Sequence, residues 1–243
     1  MWFILAATVS TMCIAGGPRV DLWHSIESTN PMTRRNAYRI LAERKRFSEA
    51  EVTAILLATA RTESATGRPR PEGPTTIPTD GTRLLQRHIE GEKVLIQSLH
   101  ATDWNVRRYA AFILGESCHP EAALALAAAI QEEVDRAATA RIKVGSWRES
   151  PLLAPLREMF IALAKLNCYE ALTAAESLLA TSDCSFASYA GIFAIESIVS
   201  DPPIGAPAFK KGMCVTVEKR TWQGWRRAHK NAVTAVCQYH CAG

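Results

Sequence analysis

DWNVRRYAAFILGESCHPEAALALAAAI, residues 103–130, decides the fold. Asp103 is a helix-capping residue type, and behind it Val106, Ala110, Ile113 and Leu114 recur at the spacing of one helical face. Ala110 and Ala111 are small enough for a second helix to lie close. Gly115 ends the run, where it can relax the backbone toward the turn before His119-Pro120. Pro120 suits the first position of a second helix, and EAALALAAAI continues the apolar pattern. Two helices joined by so short a turn lie antiparallel.

The same grammar recurs along the chain. Asn30-Pro31 opens NPMTRRNAYRILAERK, Ser150-Pro151 opens SPLLAPLREMFIALAKL, and Asp183 opens DCSFASYAGIFAIESIVS. Second helices follow or precede these runs in FSEAEVTAILLATART, EKVLIQSLHAT and CYEALTAAESLLAT. Leu41, Leu114, Leu163 and Ile195 hold equivalent places in the four first helices. The long interval between Leu41 and Leu114 fits two units. Its missing member coincides with GRPRPEGPTTIPTDG, 67–81, too rich in Pro and Gly to be one helix, followed by RLLQRHIE as a short first helix. Helix pairs of roughly 30–50 residues are the mark of an α-solenoid. The expected fold is therefore all-α: a short right-handed α-solenoid of antiparallel helix pairs. It covers 18–200, with an inserted Pro/Gly-rich loop at 65–82 and a linker and basic C-terminal cap at 201–243.

Composition agrees. Hydrophobic residues make up 48% of the 243 residues and aromatics 7%, which favours close-packed helices over a β-sandwich and excludes wholesale disorder. Formal net charge is only +4, but Lys210, Lys211, Lys219, Arg220, Arg226, Arg227 and Lys230 face a single Glu218 in one short stretch. At the other end, MWFILAATVSTMCIAGG carries no charge and closes in small residues. Residues 1–17 read as a signal peptide lacking the usual basic start, which implies an exported protein of the periplasm or cell envelope; a cytosolic apolar helix is the alternative. Cleavage would leave six cysteines, Cys118, Cys168, Cys184, Cys214, Cys237 and Cys241, as disulfides in an oxidising compartment or as buried thiols.

Residues 103–130 resemble HEAT repeats of the kind also found in phycobilin-lyase-like proteins. The resemblance is carried by Asp103, Val106-Arg107, Ala110-Ala111, Leu114-Gly115 and Pro120-Glu121-Ala122. It extends by pattern over about 19–200. It implies a solenoid that displays rows of side chains to a protein partner, and it says almost nothing more about function.

No catalytic constellation emerges. There is no phosphate-cradling glycine loop, zinc-protease helix or nucleophile elbow. Cys214, Cys237, His240 and Cys241 do not have zinc-finger spacing, so neither metal nor cofactor is expected. Arg107 and Arg108 stand in a helix's first turn, where a cation opposes the helix dipole, so Asp103 or an acidic group in the neighbouring turn is expected to offset them, as an ion pair between repeats. In the tail, MCVTVEK alternates enough for a brief strand and TWQGWRRAHKNAVTAVCQYH reads as a final helix. Trp222 and Trp225, at i and i+3, can cover the open end of the core while Arg226, Arg227 and Lys230 stay wet. Arg107, Arg108, Trp222, Trp225, Arg226, Arg227 and Lys230 are the candidate binding residues. The function expected is a non-enzymatic protein-binding or scaffolding module with no membrane span in the mature chain. One alternative is a nucleic-acid or anionic-surface binder built on the tail, although nucleic acid is not favoured as a partner. The other is a HEAT-fold enzyme of glycosylase or bilin-lyase type, for which Asp103 beside Trp104 is the one adjacent acid–aromatic pair.

Overall fold

A computed structural model describes residues 21–65, 79–87, 91–116, 120–139, 154–166, 168–181, 186–199 and 216–228. Among these residues there are eleven α-helices and no strand. They are α1 (Leu22–Ile26), α2 (Pro31–Leu41), α3 (Glu49–Ala65), α4 (Asp80–Gln86), α5 (Glu92–Ser98), α6 (Trp104–Glu116), α7 (Pro120–Thr139), α8 (Ala154–Leu166), α9 (Tyr169–Leu179), α10 (Phe186–Ile198) and α11 (Thr216–Ala228).

The helix starts follow from capping chemistry. Asn30 accepts a hydrogen bond from the Met32 amide at 2.9 Å, with Pro31 as the first helical residue of α2. Ser48 and Glu51 form a capping box at α3: the Ser48 amide donates to the Glu51 carboxylate at 2.8 Å, and the Glu51 amide faces Ser48 Oγ at 3.4 Å. Burial pushes the Glu51 carboxyl up, but the Ser48 amide and hydroxyl and the Arg44 guanidinium outweigh it, so Glu51 sits below its ordinary pKa. Thr79 and Thr82 make a reciprocal box at α4. Asp103 accepts from the Asn105 amide at 2.8 Å and opens α6.

The packing keeps to chain order. α2 lies on α4, α4 on α6, α6 on α8 and α8 on α10, while α3, α5, α7 and α9 meet one another in the same succession. The two series join through α3 with α4 and α6, α5 with α6, α7 with α8, and α9 with α10. Extensive contacts among the described residues never link helices more than three places apart. Leu41, Leu114, Leu163 and Ile195 are fully buried on α2, α6, α8 and α10, and α4 contributes Leu84 and Leu85 between the first two. The short first helix expected at RLLQRHIE is thus α4; it begins at Asp80, and residues 66–78 lie outside the described residues.

Two details differ from the sequence reading. Gly115 is the penultimate residue of α6, near the helix end as expected, and it has a packing role the sequence did not show. An added Cβ there would stand 2.6 Å from the Ala162 Cα of α8, so its missing side chain permits a close backbone approach of that pair. Gly191 does the same for α10, where a Cβ would stand 2.6 Å from the Ala175 carbonyl oxygen. The described part of MCVTVEK is not a strand: Thr216–Lys219 is helical, and residues 213–215 lie outside the described residues. The reason is a period of three to four. Lys219, Trp222 and Arg226 share one face, and all three side chains reach the C-terminal end of α9 or the turn after it.

Residues 1–20 lie outside the described residues, as do Cys118, Cys184, Cys214, Cys237 and Cys241, so the signal peptide and the cysteine pairings expected from the sequence fall there. Cys168 is a buried free thiol whose Sγ accepts from the Ala171 amide as the cap of α9. No helix among the described residues is long and apolar enough to cross a membrane.

Candidate functional site

Arg107 projects inward. It is 6% exposed, its guanidinium pairs with the Glu133 carboxylate of α7, and its remaining N–H groups donate to the carbonyls of Ala101 and Thr102 at 2.8 Å each. Glu133 is 2% exposed and also faces Arg136, while Glu132 beside it pairs with Arg136 and with His100. The first-turn cation of α6 therefore has its acidic partner, on the helix that follows it. Its donors are committed to the protein rather than presented to a ligand. Arg108 points elsewhere, over the rings of Trp104 at 5.9 Å and Tyr109 at 5.1 Å.

The tail residues gather on α9. Trp222 is buried, and its Nε1 donates to Glu176 at 3.1 Å. Arg226 Nε donates to the same carboxylate oxygen at 3.0 Å, and Trp225 stacks on Trp222 with ring centroids 5.1 Å apart. A shallow hollow of about 350 Å³ remains between Glu176, Leu179, Ala180, Trp222, Arg226 and the exposed Arg227. Lys230 lies outside the described residues.

A second concentration of exposed charge lies where the sequence reading did not single it out. α2 and α4 run side by side and leave a groove formed by two hollows of about 480 and 380 Å³. Both hollows are lined by Met32, Arg35, Tyr38, Asp80 and Arg83. Arg34, Pro31 and Thr79 close one end; Arg39, Ala42 and Arg87 close the other. The two helix starts therefore lie together, as do the two helix ends, and α2 and α4 point the same way along the groove. Each offers the same stripe: Met32, Arg35, Asn36 and Arg39 on one side, Asp80, Arg83, Leu84 and Arg87 on the other. These are i, i+3, i+4, i+7 positions, so each wall is a single helical face.

Charge in the groove is one-sided. Five guanidinium groups face one carboxylate, Asp80, which stands 3.8 Å from Arg83. Arg34 is tied to the carbonyls of Ser28 and Thr29 at 2.6 and 3.1 Å. Among the described residues, Arg35, Arg39 and Arg87 have no acidic partner. Beneath them Tyr38 is buried, and its hydroxyl hydrogen-bonds the Thr59 side chain. Burial pushes this phenol above its ordinary pKa, against the opposing pull of the Thr59 bond and Arg34. A Cβ on Gly81 would stand 2.2 Å from Thr59 Oγ1 and 3.0 Å from the Tyr38 hydroxyl, so that glycine lets α4 seat directly on Tyr38. The floor is thus fixed, and the arginines rise from it.

The sequence did carry a signal for this groove. Arg35/Arg39 and Arg83/Arg87 are like-charge pairs at i, i+4, which weaken an isolated helix by about 0.2–0.5 kcal/mol each. No group of three or more His, Cys, Asp or Glu side chains among the described residues could hold a metal ion. The chain matches no protein-family model, no curated protein and no solved structure.

Proposed function

We propose that this chain is a non-enzymatic protein-binding or scaffolding module, built as a short right-handed α-solenoid of HEAT-like helix pairs with α11 capping its C-terminal end. The supporting observation is the neighbour order of the packing, in which the extensive helix–helix contacts among the described residues stay within three places along the chain. Repeat stacks have this property because no unit can bury its apolar face alone, and it leaves long, fixed faces open to a partner. Gly115 and Gly191 agree with it, since each brings one helix into close contact with the backbone of a near neighbour.

The alternatives draw less support. A tail-borne grip on nucleic acid or an anionic surface would need Trp222 and Arg226 available, and both are engaged by Glu176. A glycosylase-like reading would need Asp103 as a reactive acid, whereas Asp103 caps α6. The test is affinity capture from the native source with the purified full chain, followed by rebinding of the purified partner and cross-linking. A stoichiometric complex with cross-links confined to one side of the helices is expected. If no captured protein rebinds, or if the cross-links scatter over all faces, the reading fails.

A further inference from the structure

We propose that the groove between α2 and α4 receives an acidic peptide segment of the partner, whose carboxylates pair with the arginine ladders Arg35–Arg39 and Arg83–Arg87. This rests on the reading of the chain as a protein-binding module and names the chemistry of one contact.

Charge complementarity fixes the sign of the ligand. Five guanidinium groups and one carboxylate line the walls, and Arg35, Arg39 and Arg87 have no acidic partner among the described residues. Guanidinium forks match carboxylates bidentately, and paired in a groove they gain more than on an open surface. Spacing fixes the form. Residues four apart on a helix rise about 6 Å, so each wall offers two cations about one turn apart. A peptide with carboxylates at the same interval, on one face of a helix, meets both rungs of a wall together.

Two features favour a peptide over a nucleic acid. Single-stranded nucleic acid is held by exposed aromatic faces on which bases stack. The one aromatic side chain in the groove is Tyr38, and it is buried beneath the arginines with its hydroxyl on Thr59. In its place the groove offers Met32, 62% exposed and one turn before Arg35, a flexible apolar contact for a peptide side chain.

The test uses the full chain and a fluorescent acidic peptide of about three helical turns with Glu at i, i+4 intervals. Fluorescence anisotropy at low salt should show saturable binding. Affinity should fall about tenfold or more in Arg35→Glu/Arg83→Glu and stay unchanged in Arg220→Glu, an exposed tail cation away from the groove. If the double variant loses its helical circular dichroism, Arg39→Gln and Arg87→Gln, both at exposed positions, must show the loss instead. Equal weakening by Arg220→Glu overturns the proposal, as does equal binding of a Gln version of the peptide. So does tighter binding of single-stranded DNA or inorganic phosphate. Self-association that disappears in the double variant also overturns it and assigns the groove to a second copy of the chain. The module reading is separable: it stands if a purified native partner still cross-links elsewhere on the helices, and falls if none rebinds.

Discussion

Arg107 and Tyr38 show how single buried groups hold neighbouring helices in place. The Arg107 guanidinium joins α6 to α7 through Glu133 inside a nearly dry site. Removing one partner of a buried pair leaves the other charge without compensation, a loss of about 3–5 kcal/mol in typical cases. Arg136 still faces Glu133, so Arg107→Met is expected at the lower end, about 3 kcal/mol by urea unfolding. Arg107→Met/Glu133→Leu should recover much of that loss, because it removes the stranded charge; a double variant no better than the single one would refute this account. Tyr38 gives a pH dependence whose sign is fixed. Its folded-state pKa is raised above the ordinary 10.0, so its contribution is complete below that pH and is lost as pH rises toward the folded value. Above pH 10 the wild type should therefore lose stability more steeply than Tyr38→Phe. At neutral pH Tyr38→Phe should be the weaker protein by about 0.5–1.5 kcal/mol, the worth of the Thr59 hydrogen bond. Parallel alkaline curves for the two proteins would dismiss Tyr38 as the titrating group.

Two glycines in helices provide a matched experiment on how elements approach. Replacing a helix-interior Gly with Ala gains about 1 kcal/mol of helix propensity, and less at Gly115, the penultimate residue of α6. At Gly115 the new methyl would meet the Ala162 backbone at 2.6 Å, and backbone does not yield cheaply, so overpacking of about 1–3 kcal/mol or more should exceed the gain. At Gly224 nothing lies within 4 Å of the same methyl, so only the gain remains. Gly115→Ala should lower the urea midpoint and Gly224→Ala should raise the helicity of α11; both changing in the same direction would contradict the packing described. The pair also marks what could be read from sequence. Asn30 and Asp103 signal helix starts through their own chemistry, and the apolar period gives Leu41, Leu114, Leu163 and Ile195 equivalent places, all four of which are buried. Gly115 could not be read that way, because its role depends on a backbone 47 positions further on, at Ala162. The arginine groove was half legible. Each i, i+4 pair is visible in the chain, but their meeting depends on α4 seating on α2 after a Pro/Gly-rich stretch that carries no periodic signal. The cations of the basic tail are adjacent in sequence, which is a poor guide to adjacency in space.

For the whole molecule, neighbour-ordered packing dictates how a perturbation travels. In a closed core, every helix shares partners with most others, and damage at one end weakens all of them. Here the extensive contacts stay within three places along the chain, so a defect should fade with distance from its origin. Trp222 is the clearest place to introduce one. It is a buried side chain of α11, and it brings the Glu176 hydrogen bond and the Trp225 stack with it. Trp222→Ala removes a side chain whose burial is worth about 3–5 kcal/mol and leaves α11 with the polar contacts of Lys219 and Arg226 to α9 and the turn after it. Hydrogen exchange should then show α11 unprotected, α9 and α10 weakened, α8 less so, and α2 to α4 unchanged. The acidic-peptide groove lies at that far end, so peptide affinity should also survive the substitution. Uniform loss of protection from α2 to α10 would mean that the helices share one cooperative core. The stacked-repeat reading would then fail, even though every local contact named above remained in place.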